Sequence, residues 1–194
     1  MKIPLPELVE IRTGYQFRQG VKDETPDGAP VRVIQLKDIE GGRLHAEGLE
    51  RVRARPGERH QVRPKDVLLL MRGRRFTATL VDVPLEDTIA THFFFVLRSK
   101  TDALDPAYLA WFLNHPQTQE ELVAHAHTTH IPIISRGVVE NLTIEVPPLE
   151  IQRAIVALNQ LKTQEAQLCA QLLEKRAQFV NALTLELARQ DLKP

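Results

Sequence analysis

Apolar residues recur along this chain in three rhythms, and each predicts a different kind of element. From Leu8 the chain alternates apolar and polar positions up to Gly14, and Asp27-Gly28-Ala29-Pro30 is a turn signal. Val31, Val33 and the continuation Ile34-Gln35-Leu36 read as a strand closed by a turn at Gly41-Gly42. Asp66 to Met71, Thr79 to Val83 and His92 to Leu97 are unbroken apolar runs of strand length, the third rich in aromatic rings, and they predict three buried strands at the centre of the fold. Between the first two, Arg72-Gly73-Arg74-Arg75-Phe76-Thr77 is long enough only for a connecting loop, which would present cations at a sheet edge.

The third rhythm is helical. Asp105-Pro106 supplies a side-chain cap and a first-turn proline, and Tyr108, Leu109, Trp111, Phe112 and Leu113 give the following helix an apolar face whose rings are read as core. Asn114-His115-Pro116 stops it, and a second helical stretch runs from Gln117 to about Ala126. Thr128-Thr129-His130-Ile131-Pro132 then reads as an exposed loop, Ser135 as the cap of a short helix through Asn141, and Thr143 to Val146 as a last strand ending at Pro147-Pro148. From Leu149 neither glycine nor proline occurs before Pro194, so one helix is predicted to about Arg189, roughly 60 Å long. Ile151, Ala154, Leu158, Leu161, Leu168, Leu172 and Phe179 form its heptad seam, interrupted by Glu165 and Lys175, and Ile155, Leu173, Val180, Leu183 and Leu187 widen the stripe. The expected architecture is α+β: a mixed β-sheet domain with packed helices over residues 1–147, then a coiled-coil-type helix over residues 148–194.

Composition changes this picture little. Of the 194 residues 43% are hydrophobic and 26% charged, which excludes a disordered chain. No apolar run reaches the roughly 20 residues of a membrane helix, and the start MKIPLPELVEIR lacks an apolar signal core, so a cytoplasmic location is expected. A single cysteine, Cys169, excludes an internal disulfide.

Charge adds more. The net charge is zero, yet residues 1–100 carry 18 Lys+Arg against 14 Asp+Glu, and the remainder 7 against 11. Between Arg43 and Arg75 ten cations face four acids, a surplus suited to phosphate, although pairing of these arginines with Glu47, Glu50 and Glu58 is the plainer reading. Nothing points to an enzyme: GxxxxGK and GxGxxG are missing, and no carboxylate pair or Ser-His-Asp set stands out. His125, His127 and His130 lack a carboxylate among them, so no metal is expected. No cofactor is expected either.

Six short blocks carry a resemblance. Leu8 to Tyr15 (LVEIRTGY), Ile34 to Ile39 (IQLKDI) and Asp66 to Leu70 (DVLLL) resemble the opening blocks of type I restriction-modification specificity subunits. Asp105 to Leu109 (DPAYL), the Thr128-Thr129-His130-Ile131 loop, and Leu142 to Gln152 (LTIEVPPLEIQ) before a long helix resemble the end of a target recognition domain and its spacer. Family members of full length carry two recognition domains and two spacers, whereas this chain has one of each. The resemblance implies a non-catalytic module that reads double-stranded DNA while separate methyltransferase subunits, and a restriction subunit, methylate and cleave. Within that frame Arg74 and Arg75 are candidates for guanine, and Gln16 and Gln35 for adenine. Lys37, Arg53, Arg55, Thr128, Thr129 and Arg136 are candidates for phosphate, with Arg72, Thr77 and His130 beside them on the polar loops. Ile151, Leu158, Leu161, Leu168, Leu172 and Phe179 are expected to form a homodimer. The alternative is a non-catalytic interaction or scaffold module that uses the helix without DNA.

Overall fold

A computed structural model of the protein describes residues 2–17, 20–21, 27–127 and 130–190. In chain order the elements are β1 (Lys2–Pro4), α1 (Leu5–Leu8), β2 (Val9–Thr13), β3 (Ala29–Ile34), β4 (Ile39–Glu40), β5 (Arg43–Leu44), β6 (Glu50–Ala54), β7 (Val67–Leu70), β8 (Ala78–Leu80), β9 (Thr88–Ala90) and β10 (Phe94–Ser99). Helices α2 (Pro106–Asn114), α3 (Pro116–Ala124) and α4 (Arg136–Glu140), strand β11 (Thr143–Glu145) and helix α5 (Leu149–Gln190) follow, and single 3-10 turns occupy Leu36–Asp38, Ala46–Gly48 and Glu58–His60. The architecture is mixed α+β followed by a long C-terminal helix. It divides into two units, Met1–Arg153 and Ala154–Pro194.

The three apolar runs pair with one another, as their composition requires. They form an antiparallel sheet in the order β2-β10-β7-β8, with Phe94 opposite Leu70, Phe95 opposite Leu69 and Val96 opposite Leu68. Because side chains alternate across a strand, Leu68, Leu70, Phe94 and Val96 join Ile34, Leu44, Val62 and Val81 in one core cluster. Leu69, Phe95 and Leu97 point the other way and are equally buried. Helix α2 packs on β7 and β8, and none of its residues enters the first cluster, so it covers that second face. Burial on both faces is why β7 shows no polar position at all.

A second sheet, β6-β3-β9, is mixed: β3 runs antiparallel to β6 and parallel to β9. Val31, Val33, Val52, Ala54 and Ile89 form its core. The basic stretch carries a strand rhythm at β6, where exposed Arg51 and Arg53 alternate with buried Val52 and Ala54. Gly14 sits where a Cβ would lie 2.2 Å from the Thr91 carbonyl oxygen, so glycine alone permits the Tyr15 N–H to reach Ala90 O at 2.7 Å.

Asp105 caps α2 as expected, accepting from Ala107 N at 2.8 Å. Ser135 makes no side-chain cap to α4, against the sequence expectation. Tyr108 is buried, whereas Trp111 and Phe112 are only half-buried, Trp111 stacking on Tyr108 at 5.2 Å. Gln152 is wholly buried, donating to Ala103 O (2.8 Å) and Pro147 O (2.7 Å) and accepting from Asp105 N (2.9 Å). One side chain thus ties the first turn of α5, the Pro-Pro turn and the cap of α2 together. From Leu158 onward every described side chain of α5 is exposed.

Candidate nucleic-acid interface

Two segments distant in sequence are zipped together at one edge of the first sheet. The loop between β7 and β8 is closed by Leu70 N to Thr77 O at 2.9 Å and turns at Gly73, whose φ of 134° lies where side-chain-bearing residues are strained. Against it lies the segment after α3: Ile134 N donates to Met71 O (2.9 Å), Gly73 N donates to Pro132 O (3.0 Å), and Arg72 pairs with Ile133. Ile133 in turn exchanges backbone hydrogen bonds with His127 at 2.9 and 3.1 Å. The arginine loop and the loop carrying His130 are therefore one surface.

The loop is also held from beneath. Strand β8 is the sheet's edge, so its outward backbone groups need partners where α2 and α3 cover it. Two side-chain amides supply them at alternate residues, as a further strand would. Gln119 accepts from Phe76 N (3.0 Å) and donates to Phe76 O (2.8 Å), while Asn114 accepts from Ala78 N (3.1 Å) and donates to Ala78 O (2.7 Å). Phe76 itself is fully buried, anchoring the loop's far end. On this base Arg74 and Arg75 stand exposed, with no ion pair among the described residues.

Arg72 bends inward. Its guanidinium lies 5.3 Å from the centre of the Phe93 ring, a cation–π contact, and Met71 N donates to Phe93 O at 2.8 Å. Between this pair and the 3-10 turn at Leu36–Asp38 opens a cleft of about 360 Å³, whose wall includes Gln35, Leu36, Lys37, Leu70, Arg72 and Phe93. Three predicted residues, Gln35, Lys37 and Arg72, meet here. The turn is fixed by Gln35 N to Asp38 Oδ2 at 2.7 Å, and Glu50 takes the Gln35 amide nitrogen at 2.8 Å and the Lys37 ammonium at 3.4 Å. Glu50 thus occupies one of the two Gln35 amide N–H donors, which competes with Gln35 as a reader of adenine. Gln16 is exposed next to Tyr15, which bridges to Thr91 in the cleft wall.

The other predicted residues lie apart from the cleft wall. Arg53 belongs to β6 of the second sheet, registered with Pro30, and Arg55 follows the strand's end and pairs with Asp27 at 3.2 Å. The basic stretch is thus divided between two sheets. One of its arginines does pair within the stretch, Arg63 with Glu58 at 3.1 Å. Arg136 pairs with Glu140 one turn along α4 at 2.7 Å. Thr77 is half-buried and His130 exposed, and Thr128 and Thr129 lie outside the described residues.

Sequence reasoning missed Phe93, Leu36, Gln119 and Asn114. An amide on a helix that covers an edge strand is the only sign the last two give, and it is a common one. It also missed a buried brace: Asp66, 1% exposed, receives Arg98 through two bonds of 2.7 Å. The hydrogen bond to Asp66 raises the Arg98 pKa above its ordinary value, against burial. Among the described residues no group of three or more His, Cys, Asp or Glu side chains is placed to hold a metal ion, and no helix is long and apolar enough to cross a membrane.

No family model and no curated protein matches the chain. Solved structures do. A chain from a structure of the complex assembly and conformational transition of the type I R-M system matches with a TM-score of 0.60 and 21% identity, over 87% of this chain and 39% of that one. The HsdS subunit from Thermoanaerobacter tengcongensis matches at 0.56 and 21% identity, over 86% and 38%. The type I restriction-modification system S subunit from M. genitalium matches at 0.55 and 16% identity, over 90% and 41%. The chain has the fold of these subunits along most of its length and spans about two fifths of theirs.

Proposed function

We propose that this chain is the DNA target-recognition module of a type I-like restriction-modification or other phage-defence system, acting in the cytoplasm. It directs separate methyltransferase subunits, and a restriction subunit, to a bipartite site, and itself performs no chemistry and needs no cofactor. The observation that carries this reading is the pair of zipped loops: Arg74 and Arg75 are held on a backbone fixed from both sides yet have no acidic partner among the described residues. A cation presented rigidly and unpaired suits a fixed acceptor such as guanine O6 and N7, while exposed Arg53 on β6 and Arg55 just after it suit phosphates, which demand only reach and charge. The shared fold with S subunits supports the same reading. The exposed stripe of α5, with Ile151, Leu158, Leu161, Leu168, Leu172 and Phe179, supports a homodimer that would present two identical readers to an interrupted palindrome.

The test is binding to randomised duplexes across a salt series. Affinity should fall linearly on a logarithmic scale, by about 0.9 in slope for each phosphate neutralised, and repeated selection should enrich a two-armed sequence. Salt-independent or absent binding overturns the reading. Site-specific methylation by the purified chain with S-adenosylmethionine would overturn the non-catalytic part.

A further inference from the structure

The cleft between the Leu36 turn and Phe93 does more than support Arg72. Its walls are apolar, from Leu36, Leu70 and Phe93, and Leu36 stands at its mouth 53% exposed. The backbone of the turn that carries Leu36 is pinned by the Gln35 N to Asp38 bond, and Glu50 holds the Gln35 side chain beside it. Lys37 and Arg72 in the same wall place cations beside the apolar floor, which suits a ligand whose apolar feature is bordered by negative charge.

The geometry points to a thymine 5-methyl group, in the major groove of a bound duplex, as the occupant of this cleft, with Leu36 as the residue that reads it. The inference rests on the DNA-recognition reading above. Of the features that base edges present in the major groove, the thymine methyl is the apolar one. An unstacked base would instead require wall groups able to bond its pairing edge. Such groups are few here: Glu50 already holds one Gln35 amide N–H, and the Thr91 hydroxyl, in a residue 2% exposed, is sealed behind the wall. The cleft thus discriminates by apolar contact, and Arg72 faces the phosphates alongside, where Lys37 is paired with Glu50.

Deoxyuridine lacks only this methyl group, which gives a direct test on the full chain. Duplexes enriched from a randomised thymine-containing pool are resynthesised with uracil replacing thymine one position at a time. At one position in each half-site, uracil should weaken binding about fourfold, the worth of one buried methyl, and Leu36→Ala should bind the thymine and uracil duplexes alike. Leu36 is exposed, so the variant folds, which its unfolding curve checks. Tight binding that ignores uracil at every position, or a Leu36→Ala variant that retains the difference, overturns the inference and leaves DNA recognition standing. Failure of the thymine pool to bind at low salt overturns both.

Discussion

The two units spend the same residue types in opposite ways. In the first, Leu68, Leu69, Leu97 and Leu113 are 0% exposed, while in the helix Leu158 and Leu161 are 67% and 62% exposed and Phe179 is 68%. The first unit satisfies its apolar residues through pairing between runs far apart in sequence. The helix has only its own neighbours three and four residues away, and burial on one side of a lone helix is not available. On the proposed reading that apolar surface is covered by another helix, and folding of this segment would then be coupled to assembly, because an isolated helix gains little from propensity alone.

The largest effect should come from charging that surface. Replacing Leu158, Leu161 and Leu172 with glutamate is expected to convert a dimer to a monomer by light scattering at micromolar concentration. Duplex affinity should fall about 100- to 10,000-fold through loss of linked binding, with the first unit still folded. A wild-type chain that is already monomeric breaks the comparison, for the stripe then has no use in self-association. Leu68→Ala should behave in the contrary manner. It removes a side chain packed on all sides and should cost about 2–5 kcal/mol in urea unfolding, whereas Leu172→Ala in a dissociated chain should cost no more than about 0.5 kcal/mol.

Next in size are the amides that fasten the recognition edge. Gln119→Leu leaves the N–H and C=O of Phe76 without partners in a covered position, at about 1–3 kcal/mol for each. It should also loosen the arginine loop, so selection on randomised duplexes should yield a less defined site while the salt slope stays as before. Arg74→Ala or Arg75→Ala should lower discrimination by about 1–3 kcal/mol without touching stability, and Arg53→Ala or Arg55→Ala should lower affinity similarly on all sequences. If the two pairs of substitutions have the same signature, the division of roles between the sheets is wrong.

What the sequence reveals follows the range of the interactions involved. The buried runs around Leu68, Thr79 and Phe94 and the long helix from Leu149 are legible because each shows its apolar pattern within its own residues. Strand β6 hides among arginines, and β9, three residues long, is too short to display any rhythm. The candidate interface is less legible still. Arg72, Arg74 and Arg75 are evident as an arginine loop, but their junction with Pro132 and Ile134 depends on backbone hydrogen bonds that no side chain announces. The cleft joins Leu36 to Phe93 only after the two sheets are in place, so no local pattern encodes it.

The smallest expected effect concerns acid. All histidines lie outside the C-terminal helix, and the response is expected from His60. It sits half-buried in the turn at Glu58–His60, its ring edge-on to Tyr15 at 5.3 Å. Burial first, then the positive charges of Arg59 and Arg12, hold its pKa below the ordinary 6.5, while a hydrogen bond with the Gly57 backbone acts in the other direction. The unfolded chain thus takes up a proton as pH falls through 6.5 that the folded chain still resists. Its contribution is complete above that pH and declines below it, until the folded form titrates as well. Urea midpoints of the first unit's transition should therefore drop between about pH 7.5 and about pH 5.5, and His60→Gln should show a smaller drop. The helix carries no histidine, so the self-association attributed to it should show no step in this window from imidazole titration. An identical drop in wild type and variant would remove His60 as the cause and leave the acid response of the first unit to its carboxylates.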